Sequence, residues 1–537
     1  MSHSSNIFNR VPIDLPNRSG FNLDHENLFS ATCGTLTPAY SKPVLPKDTI
    51  SMGVNFQVQL PPMVTDFYGK VDAVFEAFFV PNRILWAGWE DFITHPTQRP
   101  IYPAGTPIQN KPVQKPTVWL SNSNDIAFIG SGSLADYLGW KKEDYEVGYQ
   151  TSLDALPFIA YHMIYEHWYR DSRIQSPLFF APSATDQLNA NRPACLPYVS
   201  IRSTTNPQGP SFALNATFGD GFPLYKLRQR NWSKGYFTTA SPLPQAGQAS
   251  EITFDVVEGQ GAISIQAIRS SNSIQQWMER NNFSYKYADQ IYAQYGIYPS
   301  SARMDKPIFL GRTKQTVYSR SVMQTALAQP NNTLPGFTGV VGSKAANSQA
   351  IGEGRLFENF TPSEHGFLMV LFSLVPHSYY GTGCARHLIE LDSEDIPFPL
   401  LAGMGDQPIY KWELTGSQPS ENGAIFGYTD RYAHYKYDED EVHGLLRDGQ
   451  TLDKFAIQRG FGGEDSDLEL GSEFLQIPIN ALDQVQALHT STLGYSCSVD
   501  CFFKCSKVST LPAYSLPTLG DLKNTHKGHV SRGGSVL

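Results

Sequence analysis

The chain has 537 residues and a net charge of −9, with 41% hydrophobic, 17% charged and 12% aromatic residues. An acidic balance excludes a generally basic nucleic-acid coat but leaves room for local basic patches. The longest apolar run, Gly366–Val375, is far short of the ~18 residues a membrane span needs. Charge below the roughly 25% of an average domain, together with abundant rings, points to a surface covered by other protein. Met1–Arg10 is polar and has no apolar signal core, so a soluble protein made in a reducing compartment is expected.

Residues 1–48 read as an extended arm, because Pro12, Pro16, Pro38, Pro43 and Pro46 exclude long helix and central strand. Thr49–Gln59 alternates Ile50, Met52, Val54, Phe56 and Val58 with Thr, Ser, Gly, Asn and Gln, as a strand with one wet face does. Tyr68–Val80 is predicted as a second strand. Asp72 and Glu76 mark a half-exposed beginning, while Val74, Phe78 and Val80 make its end apolar on both sides. Arg83–Ile93 and Leu153–Tyr169 have helical patterns, the latter interrupted by Pro157, and 96–133 and 176–250 are long loops. Glu251–Val257 and Ala262–Ile268 read as a hairpin. Ser273–Arg280 and Tyr285–Tyr295 are predicted helices, and 330–355 is a further Gly/Asn/Ser loop. Gly366–Val375 is a strand buried on both faces. In Leu493–Cys505, Leu493, Tyr495, Cys497, Val499, Cys501, Phe503 and Cys505 share one face. Strong strands near the beginning, middle and end, joined by long connections, predict one antiparallel β-sandwich with large insertions.

Chemical motifs are sparse. Cys497, Cys501 and Cys505 are four apart on a strand, roughly 13 Å between neighbours, too far to share a zinc ion or a disulfide. They read as buried thiols. The acidic run Glu464–Glu473 has Leu470 and Gln476 where a calcium loop requires Gly and Glu. Walker A and Gly-x-Ser-x-Gly patterns do not occur, so no catalytic residue, metal ligand or cofactor is assigned. Two stretches remain. Lys226, Arg228, Arg230, Trp232 and Lys234, with Tyr225, Tyr236 and Phe237, lie in a span with no acid between Asp220 and Glu251. Cations for phosphate and rings for bases are the logic of single-strand binding; a subunit contact with acidic partners is the alternative. Lys523, Lys527 and Arg532 give the C-terminal tail the same sign, with disorder as its alternative. Phe426–Arg447 concentrates Tyr428, Arg431, Tyr432, Tyr435 and Tyr437, read as an ordered subunit-contact loop. Asp430 and Glu439 in it leave open a glycosidase-like pair.

The segments VLPKDTISMGVNFQVQLPPMV, FFVPNRILWAGWEDFI, KGYFTTASPLPQAG, SIQQWMER, FTPSEHGFLMVLFSLVPHSYY, FGYTDRYAHYKYDEDEVHGLLR and the last strand follow one another in an order that spans nearly the whole chain. In that order they resemble the major capsid protein of microviruses, small icosahedral single-stranded-DNA bacteriophages, nearest the gokushovirus branch. The resemblance implies an eight-stranded antiparallel jelly roll at 49–510, flanked by the 1–48 arm and a 511–537 tail. It also implies a T=1 shell of sixty copies around circular single-stranded DNA and no enzymatic activity. Its partners would be other copies of itself, the packaged DNA, a small basic DNA-binding phage protein and an unknown host-cell receptor, with no membrane. Such a protein is made and assembled in the bacterial cytoplasm and resides in the virion. The interval Gln245–Arg269 is short beside the family's threefold insertion, which implies either no tall protrusion or one built from 96–133 or 330–355. A carbohydrate-binding or -cleaving β-sandwich is the alternative reading.

Overall fold

The computed structural model describes residues 18–94, 115–119, 130–140, 152–178, 211–213, 222–244, 269–301, 305–323 and 344–513, less positions 87–88, 270, 278–283, 285, 298–299, 302–304, 392, 394–395, 404, 417–423 and 462–467. The 251–268 hairpin and the tail residues Lys523, Lys527 and Arg532 lie outside them. Fifteen strands are described. In chain order they are β1 (Ser19–Asn22), β2 (His25–Ala31), β3 (Thr37–Val44), β4 (Thr49–Gln59), β5 (Val71–Pro81), β6 (Thr117–Trp119), β7 (Ser152–Asp154) and β8 (Ser211–Ala213). There follow β9 (Ile308–Thr316), β10 (Tyr318–Met323), β11 (Lys344–Phe360), β12 (Gly366–Pro376), β13 (Gln407–Tyr410), β14 (Ile425–Thr429) and β15 (Cys497–Ser509).

Two sheets make the sandwich. The first runs β1-β15-β4-β11-β10, with β2 also on β15; the second runs β3-β12-β5-β9. Four antiparallel pairs are nested in sequence: β2 with β15, β3 with β12, β4 with β11, and β5 with β9. The pairings of β15 with β4 and β12 with β5 then roll this long hairpin into two sheets. That is the connectivity of an eight-stranded jelly roll. The strands lie where alternation placed them. β4 has the predicted bounds, and its burial alternates residue by residue. In β15 the three cysteines and Phe503 point inward. Its start is later than expected, because Thr490–Leu493 forms a helical turn closed by Gly494 at φ +76°.

Between the sheets, Val54, Phe56, Val58, Phe75, Phe372, Cys501 and Phe503 form the main core. The Phe56 and Phe75 rings are 4.7 Å apart, and those of Phe75 and Phe372 5.0 Å. The second sheet has another core on its outer side. There Phe78, Val80, Met369 and Leu371 pack against Trp86, Leu156, Ile159 and Tyr161. The cover is the helix Leu156–Ile164, which continues as a π-helical turn to Tyr169. Pro157 does not interrupt it. It sits in the first turn, where a missing N–H costs no helical bond.

Several expectations are corrected. Residues 19–44 are no loose arm but three strands of the sandwich. Pro38 and Pro43 are accommodated because β3 is an edge strand, paired only with β12. β5 does not begin half-exposed. All of it is buried, Asp72 and Glu76 included, because each carboxylate has partners: Lys314, Thr316 and His377 for Asp72, Arg230 and Tyr169 for Glu76. Within the supposed 330–355 loop, 344–355 belongs to the seventeen-residue strand β11.

Candidate subunit-contact and nucleic-acid surfaces

The basic–aromatic stretch runs as a strap along one end of the second sheet. Backbone bonds tie it to the turn between β2 and β3: Leu36 N–H donates to Arg228 O at 2.9 Å, and Arg230 N–H to Gly34 O at 2.7 Å. A side chain at Gly34 would collide with Ile477, whose Cβ lies 2.5 Å from the place of the missing Cβ. From this strap alternate side chains turn inward. Arg228 lies 3.7 Å from the Phe222 ring centroid and donates through Nε to His162 Nδ1 at 3.2 Å. His162 Nε2 donates to Leu224 O at 3.0 Å, so both ring nitrogens are engaged. Burial, with the Arg228 charge beside it, holds its pKa well below the usual histidine range. Arg230 reaches Glu76 at 2.7 Å and Ser373 Oγ at 3.1 Å. Trp232 is buried with the Arg459 guanidinium 4.8 Å from its ring.

The expectation that Arg228, Arg230 and Trp232 stack and pair with DNA is therefore corrected. Their side chains are taken up inside the subunit, joining strap, helix and sheet. Lys226 and Lys234 face outward. Sequence reasoning missed this because the carboxylate that neutralises Arg230 lies 154 residues away on β5.

The contact loop divides in the same way. Tyr428 lies in β14 and exchanges both backbone hydrogen bonds with Ser241 at 2.8 Å. Tyr432, at φ +59°, is buried; its N–H donates to Gln407 Oε1 at 2.8 Å, and Arg431 stacks on its ring at 5.1 Å. Tyr432 is thus an internal anchor and not a contact residue. Tyr435 and Tyr437 point outward, 59% and 63% exposed. Around them Tyr236, Phe237, Tyr380, Ile409, Phe426 and Phe474 form a third core, crossed by the Arg459 guanidinium 4.3 Å from the Phe474 ring.

No glycosidase-like pair is assembled. Asp430 is exposed, 3.8 Å from Lys436. Glu439 turns inward and accepts from Tyr236 N–H, and its pKa is raised by burial. Neither lines the open cleft of about 780 Å³ beside Gln229, Glu473, Gln476, Asp483 and His489, nor the hollow of about 370 Å³ on the outer face of the first sheet. In the larger cleft Asp483 accepts from both the N–H and the hydroxyl of Thr490, at 2.8 and 2.6 Å, a cap for the turn that follows. The three strand cysteines are inert as nucleophiles, because burial pushes their thiols up to about 12, 12 and 11 at Cys497, Cys501 and Cys505. Among the described residues no helix is long and apolar enough to cross a membrane.

The described insertions of the jelly roll build two further cores and present outward rings. The capsid protein (F protein) family matches residues 10–260 and 254–519. The chain belongs to this family. Among curated proteins it is similar to capsid protein VP1 of Chlamydia phage 1, 24% identical over 96% of this chain and 98% of that one. It is similar to VP1 of Spiroplasma virus 4 to the same identity, over 96% and 97%. VP1 of Bdellovibrio phage phiMH2K is 22% identical over 86% and 88%. The Chlamydia phage and Spiroplasma virus relatives fit the gokushovirus branch expected from the ordered segments. The alignment with the Chlamydia phage protein extends over 607 positions, more than this capsid protein has residues, so that relative carries segments with no counterpart here.

Proposed function

We propose that the chain is the main shell subunit of a small icosahedral phage and assembles as sixty copies in a T=1 particle around circular single-stranded DNA. The observation that supports this reading is the nested jelly roll of a chain matched nearly end to end by a capsid family, with the Tyr435 and Tyr437 rings turned outward. Its role is structural, without a reaction of its own. An acidic subunit needs separate cations to balance a genome. A small basic phage protein would supply most of them, and the outward Lys226 and Lys234 with the tail residues Lys523, Lys527 and Arg532 would add to them. Tyr435 and Tyr437 serve as subunit contacts, as rings at interfaces do.

Expression of the full chain with its companion phage proteins, followed by electron microscopy and nuclease digestion, tests this reading. Closed particles of one size holding nuclease-protected single-stranded DNA are expected. Exclusively monomeric protein would overturn it. Removal of residues 523–537 should lower the DNA recovered per particle; unchanged genome content would remove the tail from the DNA-binding set.

A further inference from the structure

The loop that presents Tyr435 and Tyr437 is closed by a chain of polar contacts whose direction follows from the backbone. Gln407, the first residue of β13, is buried. Its Oε1 accepts the Tyr432 N–H at 2.8 Å, and a main-chain N–H can only donate. The amide nitrogen is thereby turned the other way, to 3.3 Å from His434 Nδ1. A donor there requires Nδ1 to accept, so the ring proton sits on Nε2. On that side Nε2 lies against Glu390 Oε1, and the Tyr435 hydroxyl donates to Glu390 Oε2 at 3.2 Å. Two neighbours in the loop thus hold the two oxygens of one carboxylate, with the His434 and Tyr435 rings 4.5 Å apart.

The His434 and Glu390 side chains are only 11% and 7% exposed. Among the described residues, the charged and titratable groups around the ring are Glu390, Tyr435, Arg386 and His387, with the Tyr236 hydroxyl on the far side of the Gln407 amide. Arg386 is itself fixed, on Glu413 at 2.9 Å and Pro408 O at 3.0 Å. A second proton on the ring can go only to Nδ1. The new N–H then points at the Gln407 amide nitrogen, donor against donor, while the imidazolium is drawn towards Glu390. The amide cannot turn over to accept it, because the buried Tyr432 N–H would lose its own acceptor.

We infer that His434 is an acid-sensitive latch: neutral, it joins the Tyr435–Tyr437 loop to β13, and protonated, it lets go of Gln407 and frees the loop. Burial, with the Arg386 and His387 charges beside it, holds its pKa below the ordinary 6.5 despite Glu390. The released loop therefore takes up the proton first. The latch is complete above pH ~6.5 and weakens as pH falls below it. It is a property of the single subunit and stands apart from the capsid reading. On that reading it makes subunit contacts sensitive to pH, since Tyr435 and Tyr437 are the rings it positions.

The test uses the unassembled full-length chain. Nitrogen-15 NMR of labelled histidine should find no proton on His434 Nδ1 at pH 7.5; a protonated Nδ1 there would overturn the inference. Amide hydrogen exchange over 430–437, corrected for the intrinsic effect of pH, should rise by up to roughly tenfold per pH unit below pH ~6.5. In His434→Asn the amide oxygen takes the place of Nδ1 but takes no proton, so exchange in this loop should not respond to acid. Gln407→Glu accepts on both oxygens and favours the imidazolium. Its loop should be held more firmly at pH 5.5 than at pH 7.5, the reverse of the wild type. Reading exchange at 430–437 separates this site from His162 and His167, which lie on the helix over the second sheet. A wild-type loop indifferent to acid, or one that responds as His434→Asn does, would overturn the inference. Particles that form normally from such a chain would leave the capsid reading standing.

Discussion

The two sheets of the sandwich treat their outer faces differently. On the first, β4 alternates buried with half-buried positions and β15 mostly buried with exposed ones, and polar residues such as Gln57 and Ser498 face outward. On the second, every residue of β5 and β12 is buried, because the 156–169 helix and the 222–244 strap cover it. Half-wet antiparallel sheets need only one apolar face, whereas a doubly covered strand must satisfy any charge it carries within the protein. The strap therefore does more than cover the second sheet; through Arg230 it neutralises Glu76.

The largest effect that sharpens this contrast is at Arg230. Replacement by alanine leaves Glu76 buried with, among the described residues, only Tyr169 OH and the more distant Arg312, at a cost of about 3–5 kcal/mol. Urea denaturation of the unassembled full-length chain measures it; a loss under about 1 kcal/mol would mean that the strap is a loose cover. Next comes Met369→Ala on the outer face of β12. Met369 is fully buried against the helix, so a loss of about 2–5 kcal/mol is expected. A loss no larger than that of a surface substitution would show that the helix does not pack as a second core.

How far the contrast was legible depended on how local its causes were. β4, β12 and the inward cysteines of β15 follow from side-chain alternation alone, since each strand's pattern records its own surroundings. The doubly apolar end of β5 pointed to a cover. Its charged beginning did not, because Asp72 and Glu76 look solvent-facing until Lys314 and Arg230 arrive from 242 and 154 residues away. The same distance hid the fate of Arg228, Arg230 and Trp232. An acid-free stretch of sequence is not an acid-free neighbourhood in space. Tyr435 and Tyr437 point outward, whereas Tyr432 was drawn in by a left-handed backbone that no residue pattern announces.

A third way to probe the cover is acid. His162 is fully buried between helix and strap, and burial and Arg228 hold its pKa far below the ordinary value of 6.5. The unfolded chain therefore takes up the proton first as pH falls. The stability this residue contributes is complete above pH ~6.5 and is lost as pH drops below it, by about 1.4 kcal/mol per pH unit. A His162→Gln variant should lose less stability than the wild type between pH 7 and pH 5.5. Equal losses in the two would place the acid sensitivity elsewhere, His167 being the next candidate, with a pKa lowered to about 3 chiefly by burial.

The smallest expected effect is the control on the first sheet. Gln57 stands on the outer face of β4, opposite Asp500 on one side and Ile351 on the other. Its truncation removes no core contact, so Gln57→Ala should change the stability of the unassembled chain by no more than about 0.5 kcal/mol. The same substitution measured in assembled particles is more informative, because a wet face on the free subunit need not stay wet in the shell. If particle melting also stays unchanged, this face meets solvent or genome in the shell. A marked drop confined to particles would mean that the shell covers the first sheet as the helix covers the second, and the asymmetry between the sheets would then belong to the subunit alone.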